Sequence, residues 1–461
     1  MSQPYRWRVA VLCALVAAGA LSATAAPSNK MIGINVVTNR PLTDALLADL
    51  GTHGTVREVM AQINAVTLQA RESELPVIQK LPYVAAANPD TERQGAPVDT
   101  VAAEDFANGR NTWDLDAVNV TDFGVGRTLA YDGSGVYVAV LDTGLLDSWR
   151  QYFPEQRVAT QYAKAFSGGG GERGAVPETP NAWEHDQNSH GTHVTSTILG
   201  YNSQGSAING VAPKATVIPV KVLNQAGFGW SSMIARGIVY VTDLKRGPLA
   251  ASPVVINMSL GGPVLDAVEK AAIDYATANG VIVVAAAGNA GEEGMGFPGA
   301  YAPVISAAAS GWTGEWQPGA DGNRQNWWIA DDVAEPTSAA DFYITDFSSR
   351  EKAGQDLDVA APGSWVVGPF QLQSGMTSYF FLGGTSMASP HVAGIAALMA
   401  QKNPSLTSAD VEAILEGTAV PLPAGCRTVA QPSGSAEMIC WGVDATGAGL
   451  ATADAALAAT P

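Results

Sequence analysis

The chain has 461 residues, of which 47% are hydrophobic, and it contains 49 glycines and 27 prolines. This length and composition are enough for one large buried core with smaller attached units. The formal net charge of −18 disfavours nucleic acid and anionic lipid as partners, and it favours solubility and the binding of cations.

Residues 1–25 have the pattern of a secretory signal peptide. Arginines precede an apolar stretch at residues 9–21, and small residues follow it, with cleavage expected after Ala25 or Ala26. This stretch is too short to span a membrane, and no later apolar run reaches about 18 residues. We therefore predict a secreted protein, extracellular or periplasmic, with no membrane span in its mature form.

Residues 26–88 have a secondary-structure pattern that differs from the rest of the chain. Strand and helix patterns follow one another in the order β-α-β-β-α-β, from a strand at 30–38 to a last strand at 83–87. That order predicts a small α+β domain of the split, ferredoxin-like kind. Residues 89–112 are polar, rich in proline and acids, and aperiodic, which is typical of an exposed linker open to proteolysis.

From residue 113 onward, strand patterns alternate with helix patterns. The predicted strands are 136–141, 215–223, 254–259 and 281–287, and the predicted helices are 192–199, 231–243, 266–279 and 392–401. Such alternation builds a parallel sheet with helices on both faces, and catalytic groups gather outside the carboxyl ends of its strands. We therefore predict an α/β fold for residues 113–461.

The first of these strands ends in an acid. Its β-branched run alternates little, as expected for a parallel strand buried on both faces, and it delivers Asp142 at its carboxyl edge. The Asp-Thr-Gly sequence that begins there is also found in pepsin-like aspartic proteases. Their pair of acids needs two such turns, and this sequence has one.

A polar loop then runs into an apolar helix at His190, a candidate general base. His190 and His193 lie three residues apart, a spacing that can seat a metal on a helix face. No glutamate lies between them and no third ligand is evident, which disfavours the metal interpretation.

The strand at 281–287 ends in small residues and Asn289. Acyl transfer passes through a tetrahedral oxyanion, which must be met by hydrogen-bond donors already in place. The side-chain amide of Asn289 is one candidate donor. The alternative is that Asn289 only caps a turn.

Ser386 lies between two glycines and the apolar helix predicted over 392–401. The glycines allow a sharp turn, and the hydroxyl lies close to the positive helix end with backbone N–H groups beside it. A serine is a poor nucleophile unless a base takes its proton and an acid orients that base. His190 and Asp142 are the candidates, and the chain order is Asp, His, Ser.

The blocks around Asp142, His190, Asn289 and Ser386, in this order, resemble the subtilisin-like serine proteases, or subtilases. The resemblance covers residues 113–461. It implies an endopeptidase with Ser386 as nucleophile, His190 as base, Asp142 as the orienting acid and Asn289 in the oxyanion hole. One alternative is a catalytically silent binding module of the same fold, and another is a processing protease with a single substrate.

The resemblance also implies where an extended peptide substrate binds. Two backbone edges would pair with the peptide, and small residues would line the pocket for the side chain before the cleaved bond. These positions are Gly227, Phe228, Gly229, Ser259, Leu260, Gly261, Ala286, Gly288 and Gly296. The small, uncharged lining favours a large apolar side chain, while Glu292 and Glu293 near the rim leave lysine or arginine open.

In the same way, residues 26–88 resemble the inhibitory propeptide of subtilases, which predicts a zymogen that processes itself. The alternative is an N-terminal domain that stays attached. The expected partners are peptide or protein substrates and the chain's own propeptide, and we expect a monomer. In the subtilase pattern the second histidine of the His190 block is structural, so we expect His193 to be packed and hydrogen-bonded. We expect the same of His391.

The chemistry implied by the resemblance needs no cofactor, although calcium is common in the family. The loop around Asn202, together with Glu155, resembles one calcium site. Hard oxygen ligands suit calcium, but irregular carbonyl-rich loops are also common without it, so both alternatives stay open.

Two features lie outside the chemical blocks. Cys426 and Cys440 flank a loop rich in glycine, proline and serine, which predicts a disulfide, with two buried free thiols as the alternative. The chain also departs from shorter family members by insertions at about 145–185 and 311–341. The second insertion carries four tryptophans, which either pack on their own scaffold or extend the cleft.

Overall fold

A computed structural model describes residues 30–95, 99–102, 111–123, 126–166, 168–319, 322–373 and 377–461. The predicted signal peptide, residues 1–25, lies outside the described residues. In the described ranges, no helix is both long enough and apolar enough to cross a membrane.

The N-terminal part forms a four-stranded antiparallel sheet. Its elements are β1 (Met31–Thr38), α1 (Asp44–Leu50), β2 (Thr55–Met60), β3 (Ala65–Arg71), α2 (Leu75–Ile78) and β4 (Val84–Pro89). The strand order is β2-β3-β1-β4, and Ile34, Val36 and Leu68 lie in a separate apolar cluster beneath it. The element order is the β-α-β-β-α-β order expected from the sequence.

The segment after this sheet, expected to be an exposed linker over residues 89–112, is described at residues 89–95, 99–102 and 111–112. It contains two short strands, β5 (Glu92–Gln94) and β6 (Asp99–Ala102). Asp90 and Arg93 are buried. The polar sequence was misleading at residues 90–95, because β5 pairs with a distant strand and the Arg93 side chain has a buried partner in Glu269.

The rest of the chain surrounds an eight-stranded sheet. Its first elements are α3 (Trp113–Ala117), β7 (Thr121–Asp122), β8 (Gly126–Arg127), β9 (Tyr137–Asp142), β10 (Lys164–Ala165), α4 (His190–Leu199), β11 (Tyr201–Ser203), β12 (Ser206–Ile208), β13 (Thr216–Lys221), β14 (Phe228–Trp230), α5 (Ser231–Arg246), β15 (Val254–Met258), α6 (Ala267–Ala278), β16 (Val281–Ala286) and β17 (Ile305–Trp312). The remaining elements are α7 (Trp327–Ala330), β18 (Phe342–Ile344), β19 (Val359–Pro362), β20 (Val366–Pro369), β21 (Tyr379–Gly383), α8 (Thr385–Lys402), α9 (Ser408–Thr418), β22 (Gly425–Ala430), β23 (Ala436–Trp441) and α10 (Ala453–Ala459).

The central sheet has the order β10-β13-β9-β15-β16-β17-β18, with β19 also beside β17. Its strands are parallel except for the pair β17–β18. Alternate residues of β9 enter two apolar clusters, one shared with α4 and α8 and the other with α5 and α6. Helices therefore cover both faces, and the predicted α/β fold class is confirmed.

Helix α8 begins at Thr385, seven residues before the predicted start at 392. The prediction was wrong because Pro390 interrupts the pattern, and a proline inside a helix leaves the carbonyl four residues earlier without its usual donor. That carbonyl belongs to Ser386, and the Ser259 hydroxyl donates to it at 2.8 Å. Ser386 is thus in the first turn of the helix.

The tryptophan-rich insertion between β17 and β18 packs into the protein. Trp312, Trp316, Trp327 and Trp328 are all buried. The Trp316 ring lies 4.6 Å from that of Phe381, centroid to centroid, and 5.8 Å from that of Trp327. These rings form part of the larger apolar cluster rather than a wall of the cleft.

Candidate active site

Asp142 and His190 form a buried pair at the carboxyl edge of the central sheet. Asp142 is the last residue of β9, and His190 is the first residue of α4. The His190 Nδ1 lies 2.8 Å from Asp142 Oδ1 and 3.0 Å from Oδ2, and both side chains are fully buried. Among the described residues, His190 Nε2 has no hydrogen-bond partner. The carboxylate therefore fixes the ring and leaves Nε2 available as a base.

Two residues that the sequence analysis missed support this pair. The Thr143 hydroxyl donates to Asp186 at 2.8 Å and accepts from Gly191 N–H at 2.9 Å, which ties the end of β9 to the start of α4. Lys221 lies beside Asp142 in the neighbouring strand, 3.9 Å from Asp186. Burial lowers the pKa of the Lys221 ammonium, and Asp186 opposes that shift. A lysine at the end of an otherwise apolar strand pattern was the available signal.

Ser386 lies close to this pair but is not bonded to it. Its hydroxyl donates to the carbonyl oxygen of Ser259 at 3.2 Å. A Cβ placed on Gly95 would lie 2.7 Å from that same oxygen and 3.2 Å from His190 Cε1, so the serine and the imidazole border one narrow space. Catalytic hydrogen bonds are often long or misaligned before substrate binds. The structure thus brings the predicted triad together without closing its last hydrogen bond.

Asn289 is held beside Ser386 by its side-chain oxygen. That oxygen accepts from both the backbone N–H and the hydroxyl of Thr385, each at 2.9 Å. The amide NH₂ group is therefore left for another acceptor, and Asn289 and Ser386 line the same cavity. The preceding Gly288 has φ +107°, and a Cβ there would lie 2.9 Å from Ser349 Oγ, so the turn requires glycine.

The cavity next to Ser386 has a volume of about 530 Å³. The predicted pocket residues that line it are Leu260, Gly261, Ala286, Gly288 and Gly296. Of the two predicted rim acids, Glu293 also lines it. Glu292 is largely exposed and lies 3.8 Å from both Arg350 and Lys352.

Both predicted substrate-binding edges are engaged by the chain itself. Strand β5 pairs antiparallel with β14, so Phe228 faces Gln94 and Gly229 faces Arg93. On the other side, the backbones of Gln94 and Gly261 exchange two hydrogen bonds of 3.0 Å. Gly95 N–H donates to Gly227 O at 3.0 Å. Residues 92–95 therefore lie in the cleft as an extended strand.

The other two histidines of the motif blocks have structural partners. His193 lies 3.1 Å from the Val366 carbonyl, and burial lowers the pKa of its ring to about 3. His391 bridges Met387 O at 2.8 Å and Asp114 Oδ2 at 2.9 Å. Neither ring reaches the cleft in these contacts.

The two side chains predicted to bind calcium each have other partners in the structure. Glu155 lies 3.4 Å from Arg150, while Asn202 accepts from Gly205 N–H at 3.0 Å and donates to Gln151 O. Within the described ranges, the acids close enough to share an ion are Asp116, Asp122, Asp332 and Glu335 in one group and Asp356, Asp358 and Glu412 in another.

Cys426 and Cys440 are joined by a disulfide with an S–S distance of 2.07 Å. The two residues face each other across β22 and β23, in the loop region for which the sequence analysis predicted a bond. Neither lines the cavity beside Ser386.

Residues 133–442 match the model of the subtilase family. Subtilisin E of Bacillus subtilis is 35% identical over 295 residues, which is 63% of this chain and 61% of that protein. Subtilisin DY of Bacillus licheniformis is 34% identical over 296 residues, which is 63% of this chain and 86% of that protein. The chain thus spans less than two thirds of the length of subtilisin E.

Two solved structures share the fold. Fervidolysin from Fervidobacterium pennivorans, a keratinolytic enzyme related to subtilisin, matches with a TM-score of 0.65 and 24% identity, over 96% of this chain and 63% of that chain. Sphericase matches with a TM-score of 0.53 and 28% identity, over 75% of this chain and 99% of that chain. The first match extends over nearly the whole chain.

Proposed function

The chain belongs to the subtilase family, and from this we propose that it is a serine endopeptidase acting through an acyl-enzyme. The observation that carries the proposal is the buried pair of Asp142 and His190, in which Nε2 has no hydrogen-bond partner among the described residues. The His190 Cε1 atom and the Ser259 carbonyl to which Ser386 donates border one narrow space beside Gly95. An oriented base beside a helix-mounted serine is what activation of a hydroxyl nucleophile requires.

In the proposed reaction, His190 Nε2 takes the proton of Ser386 as its Oγ attacks the peptide carbonyl carbon. The resulting oxyanion accepts hydrogen bonds from the Asn289 amide and the Ser386 backbone N–H. The intermediate then collapses, and the leaving amine takes the proton from His190. Asp142 holds the imidazole and stabilises its positive charge throughout. Water, activated by the same base, releases the acyl group and restores Ser386.

We also propose that the chain is an exported zymogen, with residues 1–25 as signal peptide, 26–88 as inhibitory propeptide and 89–112 as the processed segment. The support is the strand at 92–95, which fills both substrate-binding edges and lies against His190. A peptide held there blocks substrates by β-strand addition, the way in which an extended peptide substrate is itself bound.

The test compares the wild-type protein with Ser386→Ala, both purified without added protease. We expect mass spectrometry to find the wild type cut between Pro89 and Trp113 and the variant uncut. A fluorophosphonate probe should label only the processed wild type, at Ser386. A folded, processed wild type that stays unlabelled would instead identify a silent binding module, and normal trimming of the variant would assign processing to another protease.

A further inference from the structure

The cleft holds a buried ion pair that joins the two parts of the chain. Arg93 lies in β5, and its side chain is fully buried against Glu269, which is fully buried as well. The Arg93 Nε donates to Glu269 Oε1 at 3.1 Å, and its Nη2 donates to Glu269 Oε2. This is a two-point contact, the geometry in which guanidinium and carboxylate pair most specifically.

Every N–H of the Arg93 guanidinium has an acceptor. Besides Glu269, Nη2 donates to Val264 O at 3.1 Å. Nη1 donates to Thr91 Oγ1 at 3.0 Å and to Glu92 O at 2.9 Å. A guanidinium has five N–H donors, so the site satisfies the group completely. The pocket is thus shaped for a guanidinium and not for a positive charge alone.

The acceptors outside the cleft strand come from the start of α6 and the loop before it. Glu269 lies in the first turn of α6, and the helix is capped by Asp266, which is also buried. Gly262 forms another wall, where a Cβ would come within 2.8 Å of Arg93 Nη1. These groups belong to α6 and its preceding loop and not to the strand at 92–95.

Removal of that strand leaves Glu269 without its cation. Breaking a buried ion pair by removing one partner is costly, because the remaining carboxylate has lost its counter-charge. The same pocket would then favour any incoming peptide that restores the ion pair. An apolar side chain there would cover the carboxylate without compensating its charge.

We propose that this pocket is a specificity subsite for arginine in the peptides that the enzyme cleaves. The inference rests on the proposed function and extends it to the substrate class. Gly95 lies against His190, so in a substrate of the same register the next residue supplies the carbonyl that Ser386 attacks. The Arg93 position is therefore the fourth residue before the cleaved bond.

Arginine is preferred over lysine at this position for a geometric reason. An ammonium is a compact, strongly hydrated charge that cannot contact both oxygens of Glu269 in the planar, two-point arrangement and also reach Val264 O. We therefore expect the order of preference arginine, lysine, then neutral side chains.

The experiment uses the processed wild-type enzyme and quenched fluorescent peptides that differ only at the fourth residue before the cleaved bond. That residue is arginine, lysine, norleucine or citrulline, the last being a neutral analogue with nearly the shape of arginine. We expect kcat/KM for the arginine peptide to exceed that for the citrulline peptide at least tenfold. We expect Glu269→Gln to bring this ratio close to one.

The control is Glu437→Gln, which removes the same charge from an exposed acid and should keep the wild-type ratio. Equal rates for arginine and citrulline in the wild type would overturn the subsite. This outcome still leaves peptide cleavage itself intact, so it is distinct from failure of the proposed function. Cleavage of no peptide together with no labelling of Ser386 would contradict both. Even if Glu269→Gln fails to mature, the ratio of arginine to citrulline cleavage by the wild type tests the arginine subsite.

Discussion

Two fully buried glutamates show how the cleft differs from the tryptophan-rich insertion. Glu269 faces the guanidinium of Arg93, a partner on the strand that fills the cleft. Glu315, in the insertion, accepts from the hydroxyls of Tyr343 at 2.8 Å and Ser364 at 2.9 Å. The first partner can leave with its strand, whereas the second set can leave only if the fold opens. We infer that Glu269 in the cleft affects which peptides bind, whereas Glu315 in the insertion affects the stability of the fold.

The electrostatics follow the same division. Burial raises the pKa of Glu269, while the charge of Arg93 opposes that shift. Burial also raises the pKa of Glu315, to about 7, and its neutral donors only reduce the shift. The neutral donors around Glu315 thus favour its protonated form, whereas Arg93 in the cleft provides a cation that favours the ionised form of Glu269.

The largest expected effect comes from Asp142→Asn, which should remove most of the peptidase activity while leaving the fold intact. An asparagine keeps the shape of the side chain but favours the wrong tautomer of His190, and the loss in kcat for such a change is about 10⁴-fold. Peptide hydrolysis and a thermal melt on the same preparation measure both properties. A variant that melts far below the wild type would show that Asp142 mainly holds the fold.

The converse change is Trp316→Ala in the insertion. The ring packs on Phe381, Trp327 and Trp365, the last at 5.4 Å between centroids, so its removal leaves a cavity. We expect a loss of about 3–5 kcal/mol in the free energy of unfolding, with kcat/KM of the folded fraction unchanged. Val443→Ala, at a position 78% exposed, is the control and should cost little. Loss of activity without loss of stability would place the insertion in the cleft.

The sequence alone predicted those parts of the molecule whose signals are local. The run before Asp142 and the small-residue turn at Asn289 each identify a strand end, and parallel strands bring such ends to one edge. The order of the blocks around His190 and Ser386 then implied the site. Each of these signals lies within about ten residues, so no tertiary information was needed to read it.

The rest depends on contacts between distant parts of the chain. Arg93 and Glu269 are 176 residues apart, and the sequence around Arg93 has the polar character of an exposed linker. A glutamate among the apolar residues of α6 was a usable signal, because Val268 and Ala272 beside it are buried. The start of α8 was misplaced for a related reason, since the carbonyl freed by Pro390 is satisfied by Ser259, far away in sequence.

The smallest expected effect concerns pH and Glu315→Gln. Because the folded-state pKa of Glu315 is raised to about 7 from an ordinary value of 4.5, its protonated form is favoured in the fold. The stability it contributes is fully present below pH 4.5 and is lost as the pH rises through 7. A shift of this size corresponds to about 3 kcal/mol at pH 8, and glutamine, which stays neutral, should escape the loss.

The measurement is urea unfolding at pH 5 and pH 8, in a Ser386→Ala background that prevents self-digestion. Other buried acids, such as Asp358, also have a raised pKa, and they contribute to the pH dependence of the unfolding free energy in both Glu315→Gln and its parent. The quantity to compare is therefore the difference in unfolding free energy between these two proteins. We expect Glu315→Gln to gain stability relative to its parent between the two pH values, while Glu437→Gln, at an exposed position, follows the parent. Parallel curves for Glu315→Gln and its parent would mean that the hydroxyl donors stabilise an ionised Glu315, and the two buried glutamates would then differ less than their partners suggest.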